Sequence, residues 1–187
     1  MDIKGEYHIA CERQKVWDAL NDPEMLRKCI PGCESLEMDA ENQLRARITA
    51  IIGPVKSSFD TRISLQNLNP PESYTLTGES KAGAAGFGRG SAEVQLRETE
   101  GQTQLRYVAK FQVGGKLAQV GSRLVLGATR KMADEFFGNF SRELDPSALR
   151  IDLDSSESRA SSGIPQRTWK AAALAVLALL IWWFLIR

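Results

Sequence analysis

Histidine is nearly missing from this chain of 187 residues: His8 stands alone. One imidazole excludes multi-histidine metal sites and weakens any nucleophile that needs a histidine base. Cysteine is scarce and odd in number, with only Cys11, Cys29 and Cys33. That usage fits a reducing compartment. The opening MDIKGEYHIA has neither the basic nor the apolar region of a secretory leader, and it alternates like a strand. An excess of one charge is missing too. Lys and Arg number 24 against 23 Asp and Glu, a formal net charge of +1. No basic stripe is there to attract nucleic acid.

What residues 171–186 lack is any polar stripe: all 16 are apolar. A core helix of a soluble protein would carry one polar face. Taken from 169 to 187, a helix would be roughly 28 Å long, close to the roughly 30 Å of a bilayer's hydrocarbon core. Lys170 and Arg187 can snorkel to opposite interfaces, and Trp169 at one end with Trp182 and Trp183 at the other resemble aromatic belts. The expectation is a single-pass C-terminal anchor, with docking of this helix on its own domain or a partner as the alternative. Arg159, Arg167 and Lys170 on the domain side place the domain at the cytoplasmic face of the cell membrane. Residues 145–168, Ser-rich with Gly163 and Pro165, read as a flexible linker spanning roughly 25–30 Å as a coil. The stretch IDLD within it could form a docking strand instead.

Residues 1–144 read as strand, two short helices, many strands and a long helix. In the first strand Ile3, Gly5, Tyr7 and Ile9 alternate with Lys4, Glu6 and His8. CERQKVWDALND follows as a helix that packs Val16, Trp17 and Leu20, then Asp22 and Pro23 open a second helix, which PGC ends. A meander comes next. Its apolar face carries Leu44, Ala46, Ile48, Ala50 and Ile52, then Val55, Ser57, Phe59, Thr61, Ile63 and Leu65, then Tyr74, Leu76 and Gly78. It continues through Ala92, Val94 and Leu96 to Leu105, Tyr107, Ala109, Phe111 and Val113. Arg45, Arg47, Asp60, Arg62, Glu79, Arg106 and Lys110 fall on the wet face, as in an antiparallel sheet covered on one side. Leu117, Val120, Leu124, Ala128, Met132, Phe136 and Phe140 predict a cover helix over residues 116–144. The fold class is α+β, a helix-grip: a curved antiparallel sheet wrapped on a long C-terminal helix. Small residues on the helix (Gly121, Gly127, Ala128) and on the sheet (Ser57, Thr61, Gly78, Ala92, Ala109) fit either a cavity or close packing at the glycines.

VWDALNDPEMLRKCIPGCESLE, GPVKSSFDTRISLQNLNPPESYTLTGES, GAAGFGRGSAEVQL and GKLAQVGSRLVLGATRKMADEFFGNF together resemble the G-subunit family of carbon monoxide dehydrogenase, within the START-like (polyketide cyclase/Bet v 1-like) superfamily. The Cys-Ile-Pro-Gly-Cys element and the Gly-rich hairpin are the most specific parts. The resemblance covers roughly residues 1–144. It implies a helix-grip fold with a hydrophobic pocket and an accessory role beside a molybdenum-containing carbon monoxide dehydrogenase or a related hydroxylase. With that fold, the inward faces nominate a pocket lining. On the sheet side these are Phe59, Thr61, Ile63, Tyr74, Leu76, Phe87, Val94, Tyr107, Ala109 and Phe111. On the helix side they are Leu117, Val120, Gly121, Leu124, Val125, Ala128, Met132 and Phe136.

AGAAGFGRGSAEV is not a phosphate loop, since no Gly-Lys-Ser/Thr follows and a strand comes next. It reads as a loose hairpin turn or as a gate presenting Phe87. Cys29 and Cys33 bracket the Pro31–Gly32 turn, as a packed reduced pair or a redox-sensitive disulfide; zinc would need two further ligands. Three functions remain. The first is a membrane-tethered carrier of a respiratory quinone (menaquinone or ubiquinone) or similar lipid that serves a cytoplasmic dehydrogenase. The second is a docking adaptor without ligand. The third is a cyclase or hydrolase using inward polar groups among Tyr74, Tyr107, Ser57, Thr61, Asp134 and Glu135, for which no base–nucleophile pairing is evident. No catalytic residue, metal or covalent cofactor is expected.

Overall fold

The computed structural model describes residues 1–145. The expected linker beyond Asp145 and the expected anchor with Trp169, Lys170, Trp182 and Trp183 lie outside the described residues. Among the described residues no helix is long and apolar enough to cross a membrane.

Alternation of apolar and polar side chains builds one curved antiparallel sheet. Its strands are β1 (Asp2–Ile9), β2 (Cys33–Ala40), β3 (Gln43–Ile52), β4 (Val55–Asn69), β5 (Ser73–Lys81), β6 (Phe87–Thr99) and β7 (Gln102–Gly114). Their spatial order is β1-β7-β6-β5-β4-β3-β2. The chain thus leaves β1 at one edge, crosses to the far edge, and walks back by hairpins until β7 pairs with β1, Asp2 facing Lys110 and Ile9 facing Thr103. Period-2 patterning reads β3 to β7 correctly but passes over β2. Of its side chains only Leu36 is buried, because this edge strand offers the core little surface.

The crossover consists of α1 (Arg13–Leu20) and α2 (Pro23–Cys29). Val16, Trp17, Ala19 and Leu20 bury the inner face of α1. Asp22 caps α2 as expected: its carboxylate accepts the Glu24 N–H at 2.9 Å, and Pro23 opens the first turn.

The cover departs from the expected single helix over residues 116–144. A short α3 (Lys116–Gln119) precedes α4 (Ser122–Leu144). The break falls at Gly121, whose φ of +95° no regular helix can contain. Phe140 near the end of α4 is fully buried, and Asn139 Nδ2 donates to the Cys29 carbonyl at 3.0 Å, tying the helix to α2.

The core divides into three parts. The largest joins Trp17, Leu20, Tyr74, Val94, Leu96, Leu105 and Phe140. A second lies under β2 and β3 around Leu36, Leu44 and Ala46. A third, Phe59, Ala82 and Leu117, sits where β4, β5 and α3 meet. The space between these parts is not filled.

Candidate functional site

Small side chains leave that space open. Leu65, Leu76, Ala92, Ala109 and Ile3 stand in one row across β4, β5, β6, β7 and β1. The next row holds Ile63, Gly78, Gly90 and Phe111. The centre of the inner sheet face is therefore two alanines and two glycines. Over it lie Thr129 and Ala133 of α4, also small. The result is a cavity of about 390 Å³. Its lining also includes Leu26, Ile30 and Pro31 from α2 and its turn, Leu36, Leu44 and Ile48 from β2 and β3, and Met132, Phe136 and Phe137 from α4.

Eight of the expected lining residues border it: Ile63, Tyr74, Leu76, Val94, Tyr107, Ala109, Met132 and Phe136. Thr61 and Phe111 border an adjoining groove of about 350 Å³, which shares Ile3, Ile63, Leu76, Ala92, Ala109 and Thr129 with the cavity. The other eight lie elsewhere. Phe59 and Leu117 are packed in the third core cluster. Phe87 is 48% exposed and lays its ring over Gly114. Val120 and Leu124 lie against Gly53 in the β3–β4 turn, with Leu124 52% exposed, and Gly121 is the helix break. Val125 is buried and Ala128 half-buried, neither on the cavity wall.

Helix arithmetic explains the difference on the α4 side. Leu124, Ala128, Met132, Phe136 and Phe140 step by four. At 3.6 residues per turn each step overshoots by roughly 40°, so the row winds roughly 160° between Phe140 and Leu124. The inward row runs Val125, Thr129, Met132, Phe136 and Phe140. Ile30 and Pro31 escape the pattern reading as well. Their signal is the Cys-Ile-Pro-Gly-Cys element, which reads as a turn although it also supplies cavity wall.

Close packing at the helix glycines is not found among the described residues: a Cβ at Gly121, Gly127 or Gly138 would meet none of them within 4 Å. The Gly-rich hairpin is a fastened turn. A 3-10 turn, Gly83–Ala85, is closed by the Ala82 N–H donating to the Gly86 carbonyl at 2.8 Å, while Ala82 itself is buried. Cys29 and Cys33 are free thiols, Cys29 against Met25 Sδ and Cys33 donating to the Ser35 carbonyl. Among the described residues no three His, Cys, Asp or Glu side chains cluster to hold a metal ion. His8 is exposed beside Glu6, at 3.3 Å.

Among the described residues no charged side chain lines the cavity; its polar side-chain atoms there are the hydroxyls of Tyr74, Tyr107 and Thr129. Burial raises the phenols of Tyr74 and Tyr107 above the ordinary range, so both stay protonated donors. Tyr7 stacks on Phe137 with centroids 4.0 Å apart, and its hydroxyl donates to Asp134 Oδ1 at 2.7 Å. Asp134 is exposed, and Glu135 pairs with Lys131 at 3.6 Å on the outer surface of α4. Ser57 is half-buried, and the Thr61 hydroxyl is shared with Ser80 at 2.9 Å. A larger groove of about 780 Å³ runs over the polar outer face of the sheet, lined by Arg62, Glu79, Arg89, Lys110 and Gln112 among others. It suits a polar partner; the inner cavity suits a hydrophobic ligand.

The fold recurs in solved structures. The chain is similar to a conserved protein of Geobacillus kaustophilus, with 31% identity and a TM-score of 0.74, covering 79% of this chain and 97% of that one. It is similar in fold to a protein of Thermus thermophilus (16% identity, TM-score 0.59, 77% and 97% covered). The same holds for the Zhui aromatase/cyclase of a Streptomyces species (13% identity, TM-score 0.59, 88% and 99% covered). No curated protein matches the chain. The family described as CoxG, the G subunit of carbon monoxide dehydrogenase, matches residues 5–145. That match runs from β1 through the end of α4 and takes in every wall of the cavity except Ile3, so the chain belongs to the CoxG family of carbon monoxide dehydrogenase subunits and shares its START-like fold.

Proposed function

We propose that this protein is a membrane-anchored accessory subunit. It carries a respiratory quinone (menaquinone or ubiquinone) or a similar lipid in its cavity and couples a cytoplasmic molybdenum-containing carbon monoxide dehydrogenase to the membrane. The cavity carries the reading. At about 390 Å³ it falls in the usual range for small-molecule sites, about 300–1,000 Å³, and its own described lining is apolar and uncharged, while an adjoining groove of about 350 Å³ adds Arg89 and Lys110 at its rim. A quinone head and the start of its tail match that size and polarity. The family supports the partner, and the apolar run at residues 171–186 supports the anchor. A tether by a flexible linker holds such a cavity at about millimolar effective concentration near the bilayer. The redox chemistry belongs to the partner's cofactors.

Native mass spectrometry of the full chain, followed by organic extraction, tests this. About one quinone or lipid per chain is expected. An empty chain that takes up no added menaquinone, yet still brings a dehydrogenase to membranes, would leave only an adaptor.

A further inference from the structure

The three hydroxyls that border the cavity are not equivalent. Thr129 Oγ1 is engaged, donating to the Val125 carbonyl one turn back at 2.9 Å. Tyr107 is half-buried, and its ring and hydroxyl lie over Gly5, where β1 offers no side chain. Tyr74 is only 5% exposed, and its ring is held edge-on by Trp17 with centroids 5.5 Å apart and planes at 78°. Its hydroxyl has no hydrogen-bond partner among the described residues. Yet it is not sealed in, since Arg13 Nε is the one side-chain nitrogen or oxygen among the described residues that is both sealed and without a hydrogen bond. Tyr74 thus lines the cavity with a hydroxyl that is neither sealed nor hydrogen-bonded among the described residues.

A phenylalanine would fill the same place without leaving a polar group unsatisfied. The chemistry of the lining then narrows what can satisfy it. Within the cavity's own lining a carboxylate or phosphate would be buried without a cation, because no described Lys, Arg or His borders it, and Arg89 and Lys110 stand only along the adjoining groove. A pure hydrocarbon would leave the Tyr74 hydroxyl unpaired. We propose that the Tyr74 hydroxyl selects the ligand, donating a hydrogen bond to a carbonyl-type oxygen of a neutral, otherwise apolar molecule lodged against β5. This rests on reading the cavity as the ligand site. Burial keeps the phenol protonated and thus a donor rather than an anion.

Two probes of one shape test it on the full chain in detergent: menadione, which carries two ring carbonyls, and 2-methylnaphthalene, which carries none. Partitioning into micelles is the same for every variant, so the ratio of wild type to variant is the readout. Tyr74→Phe should weaken menadione about five- to tenfold, the worth of one hydrogen bond, and leave 2-methylnaphthalene unchanged. The ligand-free variant should melt no lower than wild type, because no protein hydrogen bond is lost. A lower melting temperature without ligand would overturn the proposal. So would equal menadione binding by both chains, although the cavity reading would then survive on the hydrocarbon's binding. Wild type that takes up neither probe would overturn both.

Discussion

Cys29 has no exposed surface, and its Sγ lies 3.8 Å from Met25 Sδ. Burial pushes its thiol up from the ordinary value of 9 to about 11. Well below pH 9 both the folded and the unfolded chain keep the proton. Between pH 9 and 11 the unfolded chain gives up the proton while the folded chain keeps it, so stability falls as pH rises through that window. Urea unfolding at pH 8 and pH 10 should show a smaller loss for Cys29→Ala than for wild type. In the folded protein at pH 9, iodoacetamide should label the partly exposed Cys11 and Cys33 first. Cys29 should follow only as fast as the chain unfolds; equal labelling of all three, read by mass spectrometry, would contradict its sealed position. At this scale the sequence is least legible. Spacing alone cannot tell that Cys29 is sealed while Cys33, four residues on, reaches a surface carbonyl.

Among the elements, the cover helix separates two glycines by their backbone. Gly121 has a positive φ and stops the helix; Gly127 lies inside α4 with open space where a Cβ would stand. Gly121→Ala should lower stability by about 1–2 kcal/mol through backbone strain. Gly127→Ala should raise it by up to about 1 kcal/mol through helix propensity. Chemical denaturation of the two variants side by side checks both signs. The pair also shows why the elements are only partly readable. Strand faces repeat every two residues, so β3 to β7 can be phased from Leu44, Phe59, Tyr74, Val94 and Tyr107. A helix has no integer repeat, and a row stepped by four carries Leu124 off the inner face. The break at Gly121 turns on a dihedral that composition does not state, and β2, with Leu36 alone buried, gives alternation nothing to detect.

For the molecule as a whole, the cavity is a balance between packing and function. Ala92→Leu would place four-carbon bulk against the small side chains of Ala109 and Thr129. It should raise the stability of the ligand-free chain by about 1 kcal/mol, as cavity filling commonly does, and abolish menaquinone uptake. A variant that is stabilised and still loads quinone would place the ligand elsewhere. The helix-grip architecture is legible because strand faces, helix order and family resemblance agree. The position of the cavity within it is not. It depends on which small side chains meet across the layers, and Ala92 and Ala109 of the sheet lie far in the chain from Thr129 and Ala133 of the helix.

The cavity wall draws a residue from every strand and from α1, α2 and α4. A ligand there touches residues that only the folded chain brings together, so occupancy and folding are linked equilibria. Free ligand at about a hundred times its dissociation constant adds about 2.7 kcal/mol to global stability. In a cell that clears unfolded chains, the amount of this protein would then follow the supply of what it carries. The pool of ligand would set the number of carriers, with no gene regulator between them.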